Sequence, residues 1–304
     1  MTKPPSIPPL DIGMIGLGNM GGRVARRIRD VGAPIVGHDA SAEQRAASGL
    51  ATVGSVAELV QTVDIVLLCL PNSQIIEEVV LGPGGVLENA REGQSVVDLS
   101  TASPASTVRL HRALAEAGVA LVDSGLTGGV DSATTGTMTL IVGGDDEAVA
   151  RVRPVLDLFS SAIYLVGPPG AGHLAKVLNN FLNGVALAAT AEVLVIAKKA
   201  GLDLAQLLEI FNRGSAVNWA TRERFPHIIK GDYLEGGLSV DLMIKDIVLY
   251  LDAARATKAP SIVGPATFSA FHLASSLGYG DVISNHVVDA LGDLAGGVRL
   301  DSAD

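Results

Sequence analysis

The chain has 304 residues, of which 48% are hydrophobic, so it can bury one or two sizeable cores, and its length favours two domains. Its mean hydropathy is +0.40, but its longest uninterrupted apolar runs fall far short of the roughly 18 residues that a membrane-spanning helix needs. The formal net charge of −10 argues against a nucleic-acid partner, and the single cysteine excludes an internal disulfide.

The amino end, residues 1–9, is rich in proline and has no apolar core. We expect a disordered tail here and not a secretory signal, which by default predicts a cytoplasmic protein. No cluster of histidine, cysteine and acidic residues has metal-ligand spacing, so we also expect no metal site.

A glycine-rich turn follows the first predicted strand, residues 10–15, and precedes a predicted helix, residues 23–31. In this setting the first glycine allows a tight turn, the second lets the backbone approach a pyrophosphate, and the third lets helix and strand pack closely. The pattern predicts a dinucleotide-binding Rossmann domain whose pyrophosphate-binding residues are Gly16, Leu17, Gly18, Asn19, Met20 and Gly21.

Asp39 ends the next predicted strand, close to the spacing at which an acidic residue meets the adenosine ribose. Its carboxylate would accept from the 2′-hydroxyl and repel a 2′-phosphate, so NAD is favoured over NADP, although Arg45 lies nearby in sequence. The same carboxylate can cap the helix that follows it, and the two roles are compatible.

Two further apolar stretches, residues 64–70 and 94–99, are expected to be parallel strands that end in small polar residues. Open parallel sheets bind their ligands outside the carboxyl ends of the strands. We therefore place Leu70, Pro71 and Thr101 against the cofactor, while ordinary turn and helix-capping roles remain open for each of them.

The strand predicted at residues 119–123 is expected to open into a loop that is rich in backbone donors. Within this loop, Thr127, Gly128 and Gly129 can hold a carboxylate with main-chain N–H groups and one hydroxyl. Strands within residues 136–144 and at the end of the first half complete the predicted sheet.

A long helix is predicted over residues 170–201, on the order of 40 Å in length, and is expected to link two domains. Its polar residues Lys176, Asn179, Asn180 and Asn183 have the i, i+3, i+4, i+7 spacing of one helix face. Solvent exposure would explain such a stripe. However, the rest of the helix is apolar on nearly all sides, and a buried lysine flanked by amides indicates a site.

The remainder of the chain has helical periodicity, glycine-rich connectors and no convincing strand. We therefore predict an α/β Rossmann-type doubly wound domain at residues 10–167. An all-α domain for substrate binding and oligomerisation would follow at residues 168–304, joined to the first by the long helix. That apolar helix also predicts a homodimer or homotetramer.

Four motifs resemble, in order along nearly the whole chain, those of the β-hydroxyacid dehydrogenases, the family of the 3-hydroxyisobutyrate dehydrogenase-like enzymes. They are the glycine turn, the segment 123–144, the helix segment 170–180 and the pair Lys245–Asp246. Two departures concern the substrate and not the reaction type. Gly125-Leu126-Thr127 stands where the family usually has Pro-Val-Ser, and Leu238 stands where an aromatic residue is common.

The resemblance implies NAD-dependent oxidation of a small 3-hydroxy acid to its semialdehyde. In this reaction Lys176 would be catalytic, Asn180 would contact the substrate and Lys245 would contact the dinucleotide. The pKa of the lysine must then fall from about 10.4, and helix burial with a positive neighbour such as Lys245 would lower it.

Three alternative functions remain. One is a semialdehyde reductase of the tartronate or succinate semialdehyde type, and another is an imine reductase, against which Lys176 counts. The third is a non-catalytic NAD-binding sensor, against which the lysine-and-asparagine stripe counts. The predicted partner is a small-molecule carboxylate substrate.

Overall fold

The computed structural model describes residues 10–301, and the tail predicted at residues 1–9 lies outside the described residues. The chain forms two compact units, the first ending at Lys176 and the second beginning at Val177. This division falls inside one continuous helix, Ala171–Lys199, so the predicted long helix is confirmed.

The first unit is built around one eight-stranded sheet. Its strands are β1 Ile12–Ile15, β2 Ile35–His38, β3 Ala51–Thr52, β4 Ile65–Leu68, β5 Ser95–Asp98, β6 Ala120–Thr127, β7 Met138–Gly143 and β8 Ser160–Gly167. They lie in the order β3-β2-β1-β4-β5-β6-β7-β8. Neighbouring strands are parallel except β6 and β7, which are antiparallel.

At least one helix lies between every two successive strands, and a further helix begins after β8. They are α1 Asn19–Asp30, α2 Ala42–Ala47, α3 Val56–Thr62, α4 Ser73–Leu81, α5 Val86–Asn89, α6 Pro104–Glu116, α7 Gly129–Thr135, α8 Asp146–Leu156 and the start of α9 Ala171–Lys199. Side chains cap several of their amino ends. Ser55 Oγ, for example, accepts from the N–H of Glu58 at the start of α3.

Both faces of the central strands β1, β4 and β5 are buried, and successive strand residues point to opposite sides. Ile12 and Met14 pack with Val24 of α1 in one apolar cluster, whereas Ile15 packs with Leu59 of α3 in another. The predicted doubly wound α/β architecture is therefore confirmed.

Strand β6 extends further than its sequence predicts. The prediction ended it at Asp123 and placed Thr127 in a loop, and this boundary is wrong. Residues 123–127 pair with β7, from Asp123 opposite Gly143 to Thr127 opposite Thr139. The antiparallel partner supplies the ladder hydrogen bonds that Ser124 and Gly125 would lack in a loop.

The second unit is helical, as predicted. It contains the rest of α9, followed by α10 Leu204–Arg213, α11 Phe225–Ile228, α12 Val240–Thr257, α13 Val263–Ala274 and α14 Val287–Leu294. Its apolar core includes Leu187 and Leu194 of α9, Met243 of α12 and Phe271 of α13.

Helix α9 is the one described helix that is long and apolar enough to cross a membrane by length and composition. This helix contains no long uninterrupted apolar run, because Asn, Gly and Thr residues interrupt it. Its hydropathy averaged over a window of residues is nevertheless high. Half of its most apolar stretch is buried within the protein. A core helix has the same properties, so this single helix is weak evidence for a membrane span.

Candidate functional site

The glycine turn between β1 and α1 has the geometry of a dinucleotide loop. Gly16 has a φ of +96°, and a Cβ there would lie 2.2 Å from the carbonyl oxygen of Cys69. A Cβ at Gly21 would lie 2.1 Å from the carbonyl oxygen of Gly16. The first and third glycines are thus required by the backbone itself, for the turn and for the packing of α1 on the sheet.

Gly18 differs from its two neighbours because a Cβ built there would meet nothing within 4 Å. It is the N-cap of α1, and its position lies ahead of Asn19 and Met20, which begin the helix without a side-chain cap. Open space at the amino end of this helix, where the helix dipole is positive, fits the pyrophosphate of a dinucleotide.

Asp39 follows β2 and faces this turn. Its Oδ2 accepts from the N–H of Leu17 at 2.8 Å, and its Oδ1 accepts from the N–H of Ser41 at 2.9 Å. A carboxylate has about four acceptor sites, so these two bonds leave capacity for ribose hydroxyls. Arg45 donates to the main-chain carbonyls of Asp39 and Ala40, which places a guanidinium beside the same turn.

The predicted cofactor residues Leu70, Pro71 and Thr101 follow β4 and β5, the strands next to β1 in the sheet. The loops after these strands are joined, because the N–H of Leu70 donates to Ser100 Oγ at 2.9 Å. The structure thus brings these residues to the same sheet edge as the glycine turn. Lys245 lies apart from them in sequence, on α12 of the second unit.

The thiol of Cys69 lies at the end of β4, under the glycine turn. Burial and the nearby charge of Asp98 raise the pKa of this thiol to about 12. It therefore stays protonated at neutral pH and is not a nucleophile.

Thr127 is the last residue of β6, and two glycines follow it. Gly128 has a φ of +122° and Gly129 a φ of +76°, conformations that L-residues with side chains rarely adopt. Both glycines are exposed and Thr127 is half-buried. This turn lies at the carboxyl end of a strand parallel to β5, on the edge that carries the cofactor residues.

The carboxylate of Asp123, fully buried in β6, holds the start of α9. Its Oδ1 accepts from the N–H of Gly170 and its Oδ2 from the N–H of His173, each at 2.7 Å. A negative charge at a helix amino end is favourable for the helix dipole, and charge-assisted bonds of this length are strong.

His173 is also fully buried and joins α9 to two other elements. Its Nδ1 is 2.7 Å from Thr107 Oγ1 of α6, and its Nε2 is 3.3 Å from the carbonyl oxygen of Asp98 at the end of β5. Its contacts anchor the helix turn that precedes Lys176.

Lys176 is half-buried, and its stem lies directly on β6. A Cβ at Gly125 would be 2.5 Å from Lys176 Cβ, 2.9 Å from Cγ and 3.1 Å from Cδ. The structure therefore brings the predicted catalytic lysine onto the same strand that ends in the predicted substrate residue Thr127.

In the second unit, Asp246 joins two other predicted site residues. Its Oδ2 accepts from Asn180 Nδ2 at 2.5 Å, and its Oδ1 is 3.1 Å from Lys245 Nζ. Asp246 is 1% exposed and Asn180 7%. Asn179, which is exposed, donates to Asn180 Oδ1 at 3.2 Å. The Asn180 amide keeps one N–H for another partner.

Sequence reasoning gave no role to Asp123, which holds the start of α9, and no separate role to Asp246. The bonds of Asp123 reach residues 47 and 50 positions further along the chain, so no local pattern marks them. The one available signal is an acidic residue at the end of a buried strand. Among residues 10–301, no group of three or more His, Cys, Asp or Glu side chains could hold a metal ion.

Family comparisons cover both units. Residues 11–167 match the NAD-binding domain of 6-phosphogluconate dehydrogenase. Residues 170–291 match the family described as NAD-binding of NADP-dependent 3-hydroxyisobutyrate dehydrogenase.

Individual relatives are similar over most of their length. The chain is 34% identical over 254 residues to 2-(hydroxymethyl)glutarate dehydrogenase from Eubacterium barkeri, covering 83% of this chain and 84% of that one. It is 35% identical over 274 residues to 3-hydroxyisobutyrate dehydrogenase from Pseudomonas aeruginosa, covering 86% and 91%. The solved 3-hydroxyisobutyrate dehydrogenase from Mycobacterium tuberculosis, with L-serine, has a TM-score of 0.84 at 30% identity, covering 93% and 99%.

These matches confirm the resemblance that the four motifs predicted, and with it the NAD-binding character of the first unit. The family match to the first unit alone spans more than half of the chain, and relatives above 30% identity cover more than four fifths of it. The chain therefore belongs to the β-hydroxyacid dehydrogenase family, whose members are NAD(P)-dependent oxidoreductases.

Proposed function

We propose that this protein oxidises a small acid of the form HOCH2–CH(R)–COO⁻ to the corresponding semialdehyde, with NAD as cofactor. The observation that carries the proposal is the stem of Lys176 lying on β6, the strand that ends in Thr127. A group able to accept a proton thus packs against the strand that ends in a turn able to hold a carboxylate.

The substrate class is supported by the molecules that three of the relatives are named for or were solved with. 3-Hydroxyisobutyrate, 2-(hydroxymethyl)glutarate and L-serine all carry a CH2OH group on the carbon next to a carboxylate. They differ only in the other substituents of that carbon. The common part of these molecules is what the site must recognise.

The carboxylate of such a substrate would be bound at the end of β6. Thr127 offers a hydroxyl donor, and Gly128 and Gly129 offer main-chain N–H groups with no side chain to block approach. Thr127 has one methyl more than the serine common in the family, which narrows the space beside its hydroxyl.

The proton and the hydride of the substrate pass to different acceptors. The hydroxyl proton passes to the amine of Lys176, and the carbon loses its hydrogen with both bonding electrons as the C=O bond forms. Asn180 stands one helical turn after Lys176 on α9, and its remaining amide N–H would orient the reacting oxygen. NAD, when bound, supplies the acceptor for the hydride.

The cofactor would be held by the first unit's glycine turn, residues 16–21, with Leu70, Pro71 and Thr101 beside it. Asp39 supports NAD over NADP because a 2′-phosphate would meet a carboxylate that the N–H groups of Leu17 and Ser41 already hold in place. We assign Lys245 to the dinucleotide as well, on the family motif.

The test is a panel of 3-hydroxyisobutyrate, L-serine and 2-(hydroxymethyl)glutarate with NAD or NADP, followed by the absorbance of the reduced cofactor. On the best substrate, Lys176→Ala should lower kcat by about 10³-fold because the proton acceptor is lost. NAD affinity, measured by fluorescence titration, should not change.

Lys199→Ala, at the exposed far end of the same helix, is the matched control and should keep wild-type kcat. If Lys176→Ala retains kcat within a few-fold, the assignment of the proton acceptor is wrong. NAD binding without turnover of any acid would favour the sensor function instead.

We also propose that the chain assembles as a homodimer or homotetramer in the cytoplasm. Leu178, Leu182, Val193 and Ile196 form one exposed apolar stripe on α9, with Leu182 68% and Ile196 61% exposed. The stripe is roughly 27 Å long, and exposed apolar surface of this kind marks an interaction site. Light scattering after size exclusion would contradict assembly by returning the 31.1 kDa of a single chain. Cell fractionation would test the location.

A further inference from the structure

Residues 39–41, between β2 and α2, form the turn that carries Asp39, the predicted partner of the adenosine ribose. Helix α2 has only six residues, and none of them is buried. Arg45 is the one residue of this helix that is half-buried, and the other five are exposed. Apolar packing of α2 therefore cannot hold the turn in place, and polar contacts must do so.

The guanidinium of Arg45 folds back over the amino end of α2. Its Nη1 donates to two consecutive main-chain carbonyl oxygens, those of Asp39 and Ala40, the second at 3.2 Å. A positive charge at the amino end of a helix is unfavourable for the helix dipole, so the dipole does not explain this position. The two carbonyl groups are what keeps the guanidinium there.

These bonds act on the carboxylate of Asp39 through a single peptide group. The carbonyl of Ala40 and the N–H of Ser41 belong to the same planar peptide. That N–H donates to Asp39 Oδ1 at 2.9 Å. A guanidinium that holds the carbonyl oxygen therefore also holds the direction of the N–H, because the plane turns as one piece.

The second oxygen of the carboxylate is held from the glycine turn, since Oδ2 accepts from the N–H of Leu17 at 2.8 Å. With both bonds in place, the carboxylate is fixed between the two loops that surround the ribose in a dinucleotide-binding domain. When the peptide between Ala40 and Ser41 turns away, Oδ1 loses its donor. The carboxylate can then rotate about the one bond that remains, and it no longer offers a fixed acceptor.

We propose that Arg45 is the positioning residue for Asp39 and thereby sets the affinity of the protein for the 2′-hydroxyl of the adenosine ribose. The role is indirect, because Arg45 acts on the main chain while Asp39 accepts from the hydroxyl. The inference rests on the role proposed for Asp39 at the ribose, and it adds the residue on which that role depends.

A direct role for Arg45, as a ligand of the 2′-phosphate of NADP, gives a different result when the side chain is removed. The guanidinium has five N–H donors, and both bonds described above come from Nη1. A direct ligand is needed for NADP and not for NAD. A positioning residue is needed for NAD, and only while Asp39 is present.

The experiment measures the dissociation constants of NAD, NADP and 2′-deoxy-NAD, which lacks the 2′-hydroxyl of the adenosine ribose, by isothermal titration calorimetry. The proteins are wild type, Arg45→Ala, Asp39→Ala and the double variant, each with its Tm. Comparing NAD with its deoxy analogue isolates the hydroxyl contact, and the four proteins form a double-mutant cycle. All readouts are binding constants, so no oxidisable acid has to be identified first.

Arg45→Ala should raise the NAD dissociation constant about three- to tenfold, the effect of one hydrogen bond, and leave that of 2′-deoxy-NAD within about twofold. In the Asp39→Ala background the same substitution should change the NAD constant less than about twofold, because the group that it positions is gone. Equal losses for NAD and the deoxy analogue, or an undiminished loss without Asp39, overturn the inference. A loss of NADP affinity alone overturns it in favour of the direct phosphate ligand.

Arg151→Ala is the matched control. Arg151 Nη1 also donates to a main-chain carbonyl oxygen, that of Gly93 at 2.7 Å. Gly93 precedes β5, a strand parallel to β4 and β1, so this bond lies at the sheet edge opposite the glycine turn. The control should keep all three dissociation constants within about twofold of wild type. If Asp39→Ala itself binds NAD as tightly as wild type, the proposed place of Asp39 at the ribose is wrong, and the inference falls with it.

Discussion

Lys176 and Asn180 stand one turn apart on α9, yet the protein holds them by different means. Around Lys176, main-chain N–H groups of the helix donate to the Asp123 carboxylate, and glycines allow close backbone packing. Around Asn180, the bonds join side chains, from Asn179 and to Asp246. One arrangement fixes a piece of backbone, and the other fixes the rotamer of one amide.

The difference predicts how each region responds to substitution. A change at Asp123 or at the closely packed glycines moves every residue of the first turns of α9, including Lys176. A change in the side-chain cluster releases one amide while the helix stays in place. Loss of stability and loss of kcat should therefore go together in the first region, whereas KM should respond most in the second.

The largest effect is expected from Asp123→Ala. It removes a buried carboxylate that accepts two charge-assisted bonds and leaves two N–H groups without their acceptor. The expected loss is roughly 3–5 kcal/mol of unfolding free energy, together with a fall in kcat. Urea unfolding and steady-state kinetics on the same preparation measure both.

Asp30→Ala is the control for this variant. Its carboxylate is 58% exposed and pairs with Arg29 on the surface, a contact that contributes about 0–1 kcal/mol. An Asp123→Ala protein as stable as this control would show that the carboxylate does not hold the helix.

A smaller effect is expected from Asp246→Asn. The new amide can accept from Asn180 only by turning its NH2 group toward the Lys245 ammonium, so one of the two contacts is lost. We expect about 1–3 kcal/mol of destabilisation and a rise of about tenfold in KM with a smaller change in kcat. Steady-state kinetics with the best acid of the panel measures both constants.

Asp252→Asn tests whether this effect is specific. The residue lies on the same helix, α12, and its side chain is 53% exposed in a pair with Arg255. It should leave KM unchanged. If Asp246→Asn changes kcat and stability but not KM, the side-chain cluster acts on the helix and not on the amide, and the contrast between the two regions fails.

Much of this protein could be predicted from its sequence, because the relevant signals are local. The glycine turn lies between a strand and a helix within one short stretch, so the dinucleotide loop and its order of elements follow from chain neighbours. The helix α9 and its lysine-and-amide stripe follow from a period of 3.6 residues. Long, regular patterns of this kind determine an element before any packing occurs.

Other features depend on partners that are distant in sequence. The end of β6 was misplaced because its last residues are strand only when β7 pairs with them. No sequence pattern near Asp123 predicts that its carboxylate accepts hydrogen bonds from the N–H groups of Gly170 and His173. Asn179 had no assigned role until its bond to the Asn180 side chain was visible.

Gly125 shows most clearly the difference between what a local sequence pattern predicts and what the tertiary structure decides. From the sequence it is a departure from the family pattern beside the predicted substrate residues, with no indication of its purpose. In the structure, its missing Cβ is the space that the Lys176 stem occupies. The sequence by itself determined most of the elements and the glycine turn, and it predicted which groups react, because these depend on residue type and periodicity. Only the tertiary structure decided where the lysine lies, because that position depends on close contact between segments about 50 residues apart in the chain.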